Sequence, residues 1–481
     1  MINNAYQNLT CVFGLGQSGL SAARYFQRIG EAFFVVDTRE SPAGANLVNT
    51  MNLCQGVILG EIAEHLLMQA KQIILSPGIS PKIPLIVSAK NAGVEVFGDV
   101  DIFMRQTKGK VIAITGSNGK STVTDLTCRL LQAGGYRAEI GGNFGIPVLD
   151  YLPEDKADIY VLELSSFQLD TTRYIAPDVA VVLNVTEDHM DRYSQFDEYQ
   201  QSKLRVLPNA KYRLVNLDDK NTWPIDVNID SSFSLYNKDA KYYLEKDEFP
   251  KNESIAYQSE SHVVNQFSNL KLCRQGQQLI HSDALAITGK HNWMNILASI
   301  ALIDGLGIEI SEPMLAALKH YRGLAHRFQW AANESQIDWI NDSKATNVGA
   351  TLAAINAVEQ QLYSSVILIA GGDAKGADLS ELKSVIEEKI SVVIVLGKDA
   401  ALFVSLIKKI PVIQVADMFE AVAQARTLVA QKNSEMKINL NQSTEMKKAL
   451  VLLSPACASL DMFNNFEHRG EIFCQAIRES V

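Results

Sequence analysis

Cysteine is scarce and scattered: Cys11, Cys54, Cys128, Cys273, Cys457 and Cys474 in 481 residues. None falls in a C-x-x-C pair, so neither a zinc site nor a disulfide framework is legible, and reduced thiols are expected. No apolar run reaches the roughly 20 residues that a membrane-spanning helix needs, which excludes membrane insertion. A basic block is missing too. The 44 Lys and Arg residues are outnumbered by 54 Asp and Glu, for a net charge of −10. That balance argues against nucleic acid as a partner. The first ten residues, MINNAYQNLT, lack the basic-then-apolar pattern of a secretory signal, so a cytoplasmic location is expected.

What is present is a repeated style. A short apolar strand is followed by a turn and then a helical segment. CVF (11–13), FFVVD (33–37) and QIILS (72–76) form a first series, and KVIAIT (110–115), IYVLEL (159–164) and VAVVLNV (179–185) a second. SVILIAGG (365–372), SVVIVLG (391–397), PVIQV (411–415) and ALVLLS (449–454) form a third. Continuous apolar strands alternating with helices predict parallel sheets covered on both faces. The expected fold class is therefore α/β with three domains, 1–98, 99–322 and 323–481. Residues 217–288 are more polar, with short alternating segments, and predict antiparallel strands added to the middle domain. The polar segment 431–448 predicts a solvated loop.

Two glycine-rich turns stand out. The first is Gly14-Leu15-Gly16-Gln17-Ser18-Gly19, after a strand and before a helix, with Asp37 ending the next strand. This is the spacing of a dinucleotide-binding turn, in which the helix N-terminus receives a phosphate. It makes the first domain Rossmann-like. The second turn, AITGSNGKST (113–122), is a shortened phosphate loop, with Ile114 where a full Walker motif has its first glycine. Backbone amides from Gly116 to Gly119 turn inward, Lys120 reaches the terminal phosphates, and a hydroxyl of Ser121 or Thr122 suits Mg²⁺. The central domain is thus expected to be P-loop ATPase-like. Downstream, Glu163 ends a strand and is followed by Ser165, Ser166 and Gln168. His189 sits in NVTEDHMDRY after another. A carboxylate and an imidazole at strand ends suit a metal bound beside phosphate.

TGSNGKST, GGNFGIP (141–147), LELSSFQL, NVTEDHMDRY, GKHNWMN (289–295), HRF (326–328), NDSKATN (341–347), GGDAKGAD (371–378) and LLSPACASLDMFNNFEHRG (452–470) occur in one order. That order resembles the Mur ligases, and most closely the members that add D-glutamate to UDP-N-acetylmuramoyl-L-alanine. The resemblance runs from Gly14 to Gly470 and implies a Rossmann-like C-terminal domain. It also implies an ATP-dependent ligase reaction through an acyl phosphate, in cytoplasmic peptidoglycan precursor synthesis, with ATP and two Mg²⁺ ions, by a monomer.

The resemblance also distributes roles. Lys120, His189, Lys203 and Lys344 would be catalytic. ATP would be held by Gly116, Ser117, Asn118, Gly119, Lys120, Ser121, Thr122, Asn292, Asn295, Arg327 and Asp342. Leu15, Gly16, Gln17 and Ser18 would face the pyrophosphate of the UDP-substrate. Asp37, Thr38 and Arg39 would approach its uridine, Gly78 would close the pocket, and Asn143 would reach in from the middle domain. Thr346, Lys375, Ser459, Leu460 and Phe466 would hold D-glutamate. Ser121, Glu163, His189 and a carbamylated Lys203 would serve the metal ions. By composition alone, Lys203 reads as an ordinary helix-surface lysine, and Cys457 as a packed neighbour of Ser459.

Three other readings bear on these residues. A dehydrogenase would use the first glycine turn and Asp37 but leave the phosphate loop unexplained. A nucleotide-gated binding protein would not need His189, Lys203 and Lys375. Another Mur-type ligase, or an enzyme like folylpolyglutamate synthase, would differ in its amino-acid acceptor. The region where diaminopimelate-adding members are expected to carry a DNPR-type motif reads GGDAKGAD here.

Overall fold

The chain is described from a computed structural model. It covers residues 6–190, 192–225, 227–246, 270–287, 289–334, 336–358, 360–439 and 447–479. Five strands form the first sheet: β1 (Thr10–Phe13), β2 (Phe33–Asp37), β3 (Cys54–Leu59), β4 (Gln72–Leu75) and β5 (Glu95–Phe97), in the parallel order 3-2-1-4-5. The second sheet holds β6 (Lys110–Thr115), β7 (Ala138–Gly142), β8 (Ile159–Glu163), β9 (Val179–Val182), β10 (Tyr212–Asn216), β11 (Ser231–Ser234), β12 (Tyr242–Lys246), β13 (Leu270–Arg274) and β14 (Gln277–His281). Its order is 14-13-12-11-10-9-6-8-7. The third holds β15 (Gln329–Asn333), β16 (Ile337–Asn341), β17 (Ser365–Gly371), β18 (Val392–Leu396), β19 (Val412–Gln414) and β20 (Ala449–Leu453), in the order 15-16-20-17-18-19. Only β15 runs antiparallel there.

The central strands are buried along their whole length, as TCVF, FFVVD, IYVLE and ALVLL all show. Helices cover both faces, and each large side chain so enclosed contributes roughly 1.5–3 kcal/mol. By contact, the described residues fall into two compact units. One comprises the residues up to Val185, Asp197–Ala286 and Trp293–Tyr321, and holds the first two sheets. The other comprises Thr186–Phe196, Ile287–Asn292 and the residues from Arg322 on, and holds the third. No helix among the described residues is long and apolar enough to cross a membrane.

Two sequence expectations change. Within 217–288, β11 and β12 extend the sheet in parallel, and only the β12–β13 and β13–β14 pairs are antiparallel. Alternation reports half-burial and says nothing of strand direction. Residues 247–269 of this segment lie outside the described residues. The 431–448 segment is not simply a loop, because the helix Met418–Asn439 runs well into it. No Gly or Pro interrupts MFEAVAQARTLVAQKNSEMKIN, and most of its residues are good helix formers. Residues 440–446 lie outside the described residues.

The topology decides where ligands can sit. In an open parallel sheet, binding crevices lie beyond the carboxyl ends of the strands. Residues 14–19 and 76–80 follow β1 and β4. Residues 116–119 and 164–168 follow β6 and β8. Residues 342–347, 372–375 and 454–459 follow β16, β17 and β20. The motifs of the sequence therefore fall at the strand ends suited to binding.

Candidate functional site

In the first sheet, the three glycines of the opening turn do different things. Gly14 has φ +99°, and a β-carbon there would meet Ile79 and Ser76 at 2.8 Å. A β-carbon on Gly19 would lie 1.7 Å from the Gly14 carbonyl oxygen, so glycine lets helix and strand close together. Gly16 and Gly78 face open space within 4 Å, as expected where a ligand backbone must approach. Gly16 caps the helix Gln17–Ile29 with no side-chain bond, leaving amide groups for an anion.

Asp37 is 2% exposed. Its Oδ2 accepts from the Leu15 amide at 2.7 Å and from Arg39 Nη2 at 2.7 Å, while Oδ1 accepts from Arg39 N and Nε at 2.9 Å. Burial works against its ionised form, but the Arg39 and backbone hydrogen bonds outweigh it and hold the carboxyl down at about 2. Asp37 is therefore a brace: it ties Leu15 to Arg39, and the Leu15 amide is spent on it. Thr38 and Arg39 are exposed beside it, and Gln17 is exposed on the turn. Ser18 hydrogen-bonds buried Asp99.

The phosphate loop of the second sheet closes on itself. Gly116 (φ +150°) and Gly119 (φ +82°) take conformations that favour glycine, and the helix Lys120–Ala133 starts at once. Lys120 Nζ donates to the carbonyls of Gly116 at 2.7 Å and Ser117 at 2.9 Å. The Asn118 amide donates to Asn184 Oδ1 at 2.8 Å, and Asn184 Nδ2 returns a bond to the Asn118 carbonyl at 3.0 Å. Asn295 Oδ1 lies 2.7 Å from where a Gly119 β-carbon would be, so that side chain rests on the loop. Ser121 and Thr122 are buried in the first helical turn.

Glu163 ends β8 and is 2% exposed. Ser121 Oγ donates to its Oε2, and Asn143 Nδ2 donates to its Oε1 at 2.7 Å. Asn143 thus supports Glu163. A lone carboxylate and a hydroxyl at a phosphate loop suit Mg²⁺, which keeps waters and takes further oxygens from phosphate. Among the described residues no group of three or more His, Cys, Asp or Glu that could hold a metal ion is found. Ser165 and Gln168 instead form a reciprocal capping box on the helix Ser166–Thr171.

Lys203 overturns its composition-based reading as a surface lysine. It is 2% exposed, and its Nζ donates to the Gly116 carbonyl at 2.9 Å. The same nitrogen lies 4.5 Å from the centre of the Tyr199 ring, whose hydroxyl is 3.0 Å from Ser117 Oγ. Sequence reasoning missed Tyr199 and Asn184. Tyr199 had a signal, since four residues separate it from Lys203 on one helix face. Asn184 opens the NVTEDHMDRY stretch, but nothing local points to its partner Asn118, 66 residues away.

The remaining residues belong to the second unit. His189 has φ +59°, uncommon outside glycine, with its ring 3.7 Å from Asp188 Oδ2. Asn347 Nδ2 bonds that same Asp188 oxygen at 3.2 Å, and its Oδ1 caps the helix Val348–Ala357. Asn292 is buried, and its amide donates to the Gly289 carbonyl. Asp342 is buried at the end of β16, where Oδ1 accepts from the Phe328 amide at 3.0 Å and Oδ2 from Ser454 Oγ at 2.9 Å. Arg327 acts on it through its charge. Lys344 Nζ stands 3.9 Å from the centre of the Phe466 ring, and the Thr346 amide bonds the Lys344 carbonyl. Lys375 follows β17 with φ +51°, its amide on Asp373 Oδ1 at 2.9 Å. Ser459 is buried, whereas Leu460 is 72% exposed. Cys457 is fully buried, and burial pushes its thiol up to about 12. It packs and is no nucleophile.

Burial lifts the Asp342 carboxyl to about 7, against the bonds from Ser454 and Phe328 and the charges of Arg327 and Arg469. The folded chain therefore holds a proton that the unfolded chain releases, and this group's contribution to stability falls as pH rises from about 4 to 7. Asp342→Asn should remove that slope. At pH 8 the variant should melt about 2–4 °C above the parent, with the two converging near pH 4. Calorimetry at the two pH values checks this, and a lower melting point at pH 8 would refute it.

Residues 8–98 match the Mur ligase MurD-like N-terminal domain, 114–303 the Mur ligase middle domain and 326–438 the Mur ligase glutamate ligase domain. The chain belongs to the Mur ligase family. Within it, the chain is 39% identical to the UDP-N-acetylmuramoylalanine–D-glutamate ligase of Haemophilus ducreyi, over 100% of both chains. It is 40% identical to the ligase of the same name from Pseudomonas aeruginosa, over 99% of both. Among solved structures, MurF ligase of Thermotoga maritima in complex with ADP aligns over 100% of both chains, with TM-score 0.57 at 14% identity, a likeness of fold.

Proposed function

We infer that this protein is the ATP-dependent ligase that joins D-glutamate to UDP-N-acetylmuramoyl-L-alanine in peptidoglycan precursor synthesis. The observation that carries the reading is the end-to-end match, at 39% identity, to a ligase of that name. The division of labour follows the sheets. Residues 1–98 hold the UDP-substrate, 99–322 hold ATP, and 323–481 hold the amino acid and part of ATP.

The reaction has two steps. A carboxylate oxygen of the L-alanyl group attacks the γ-phosphorus of ATP, and the bond to the β-phosphate oxygen breaks, giving an acyl phosphate and ADP. The D-glutamate amine then attacks the acyl carbon, loses a proton, and the tetrahedral adduct expels phosphate to leave the amide. Both steps bring negative charge together, so fixed cations at the reacting oxygens lower the barrier. Lys120, already at the mouth of the loop, trades its carbonyl bonds for the terminal phosphates of ATP. Asn292, Asn295, Arg327 and Asp342 hold the nucleoside end. Lys344 and Thr346 lie between nucleotide and acceptor. Lys375, Ser459, Leu460 and Phe466 bind D-glutamate, with Lys375 on a carboxylate.

Ser121 and Glu163 would hold one Mg²⁺, and His189 with Lys203 a second. These ions would neutralise phosphate charge and orient the acyl oxygen. For Lys203 that role requires carbamylation, in which the ammonium first gives up a proton, the Nζ lone pair forms a bond to the CO₂ carbon, and a second proton leaves to give the carbamate. The structure offers a reason: the Lys120 and Lys203 nitrogens share one acceptor, the Gly116 carbonyl. Two ammonium groups so close repel, and a carbamate turns that repulsion into attraction. Localisation in the cytoplasm and a monomeric state complete the reading.

Phosphate release from ATP tests it directly. Turnover should require UDP-N-acetylmuramoyl-L-alanine and D-glutamate together. L-glutamate, diaminopimelate and L-alanine should each fail as acceptor. Amide formation with any of those three in place of D-glutamate sinks the assignment.

A further inference from the structure

A buried arginine that the reaction scheme does not use stands behind the second unit's loops. Arg469 lies one turn into the helix Phe466–Glu479 and is 2% exposed. Three hydrogen bonds from its guanidinium go to oxygens of two loops. Nε donates to Ser343 Oγ at 3.0 Å and Nη2 to the Ser343 carbonyl at 2.8 Å. Nη1 donates to the Cys457 carbonyl at 3.0 Å. Among the described residues no carboxylate forms an ion pair with it, and burial holds its pKa down at about 10 despite nearby Cys457, Asp461 and Asp342. Burying a guanidinium without a carboxylate partner is costly, so an arginine used only as filler would be a poor choice.

The two loops it joins are the ones that matter. Ser343 lies between Asp342 and Lys344, after β16. Cys457 lies two residues before Ser459, after β20. At the sheet these loops are already tied by the Asp342 amide on the Leu453 carbonyl and by Ser454 Oγ on Asp342. Farther out, the ties come from the start of the Phe466–Glu479 helix. Ser343 Oγ donates to the Phe466 carbonyl at 2.8 Å, and Asn341 Nδ2 donates to the Gly470 carbonyl at 3.0 Å. Arg469 alone in that turn reaches both loops. Its planar fork spans two directions at once, which a lysine ammonium on a single flexible stem does not reproduce.

We propose that Arg469 is a positioning residue of the ligase reaction, setting the spacing between Lys344 on the nucleotide side and Ser459 on the acceptor side. The proposal rests on the functional reading above, which puts Lys344 between nucleotide and acceptor and Ser459 at D-glutamate. A loss of spacing acts on attack geometry, where a shift of about 1 Å costs on the order of a hundredfold. It leaves the UDP-substrate site in the first sheet untouched.

The test is steady-state kinetics of the full chain as parent, Arg469→Lys and Ser343→Ala, with all three substrates varied and melting followed by circular dichroism. Arg469→Lys, folded, should raise KM for D-glutamate and lower kcat, with kcat/KM for D-glutamate down on the order of a hundredfold. KM for the UDP-substrate should be unchanged. A purely structural arginine would instead lower the folded fraction, reducing kcat with every KM at the parent value, and that result overturns the proposal. If Arg469→Lys does not fold, Ser343→Ala decides. It removes the Nε partner, together with the Ser343–Phe466 bond that ties the same helix start to the same loop, but keeps both carbonyl bonds of Arg469, and it should raise KM for D-glutamate by about threefold to tenfold. A parental D-glutamate KM in that variant overturns the proposal. If the parent itself shows no D-glutamate-dependent turnover, the functional reading has failed, which the parent's own rates reveal before any variant is compared.

Discussion

Lys120→Ala should lower kcat by on the order of a thousandfold, the cost of removing a fixed positive group aimed at developing charge. The melting temperature should stay within about 2 °C. The reason lies in what the ammonium does without ATP. It donates to the Gly116 and Ser117 carbonyls, and the Gly116 carbonyl keeps its bond from Lys203 Nζ when the Lys120 side chain is gone. The loop's shape rests instead on the Asn118–Asn184 pair and on the glycine conformations, and neither involves the lysine. Lys120→Arg should recover little, since a forked guanidinium does not fit where a point charge on a narrow stem sits. Phosphate release under saturating substrates, with a melting curve on the same sample, checks both parts. Activity within about tenfold of the parent would mean that the loop amides alone carry the phosphate charge.

Lys203→Ala should cost a comparable factor, about a hundredfold to a thousandfold in kcat, by a different route. Lys203 is buried against Tyr199 and the Gly116 carbonyl. Intact-mass measurement in bicarbonate buffer should show one CO₂ adduct on the parent and none on the variant. Removing CO₂ should lower parental activity reversibly, while Lys120→Ala should keep the adduct. An unmodified parent at full activity would end the carbamate assignment and leave Lys203 as a strut for the phosphate loop. Lys203→Met then separates the two, because an apolar chain of similar length preserves packing and loses only the nitrogen.

The local motifs were legible in sequence because their physics is local. Gly116, Gly119 and Lys120 sit at fixed offsets between an apolar strand and a helix, so the loop follows from backbone conformation alone. The same holds for the glycines at 14, 16 and 19. The burial of Lys203 was not legible. FDEYQQSKL is polar and barely periodic, and the helix is buried by neighbours far along the chain. The bond from the Leu15 amide to Asp37, 22 residues away, was not legible either. Arg469 lies in the stretch that ends FEHRG, but nothing local points to its partners Ser343 and Cys457, 126 and 12 residues away.

By itself the sequence determined the α/β character of the chain, the positions of its phosphate-binding turns and its kinship with the Mur ligases. Each depends on residues close in the chain or on the order of motifs. Only the tertiary structure decided which charged side chains are buried and what they bond, such as Asp37 to Leu15 and Arg39, and Arg469 to Ser343 and Cys457, and that Asn143 bonds Glu163. Those outcomes depend on contacts between segments up to 126 residues apart, and no local pattern of polarity encodes such contacts, because burial is a property of the assembled fold.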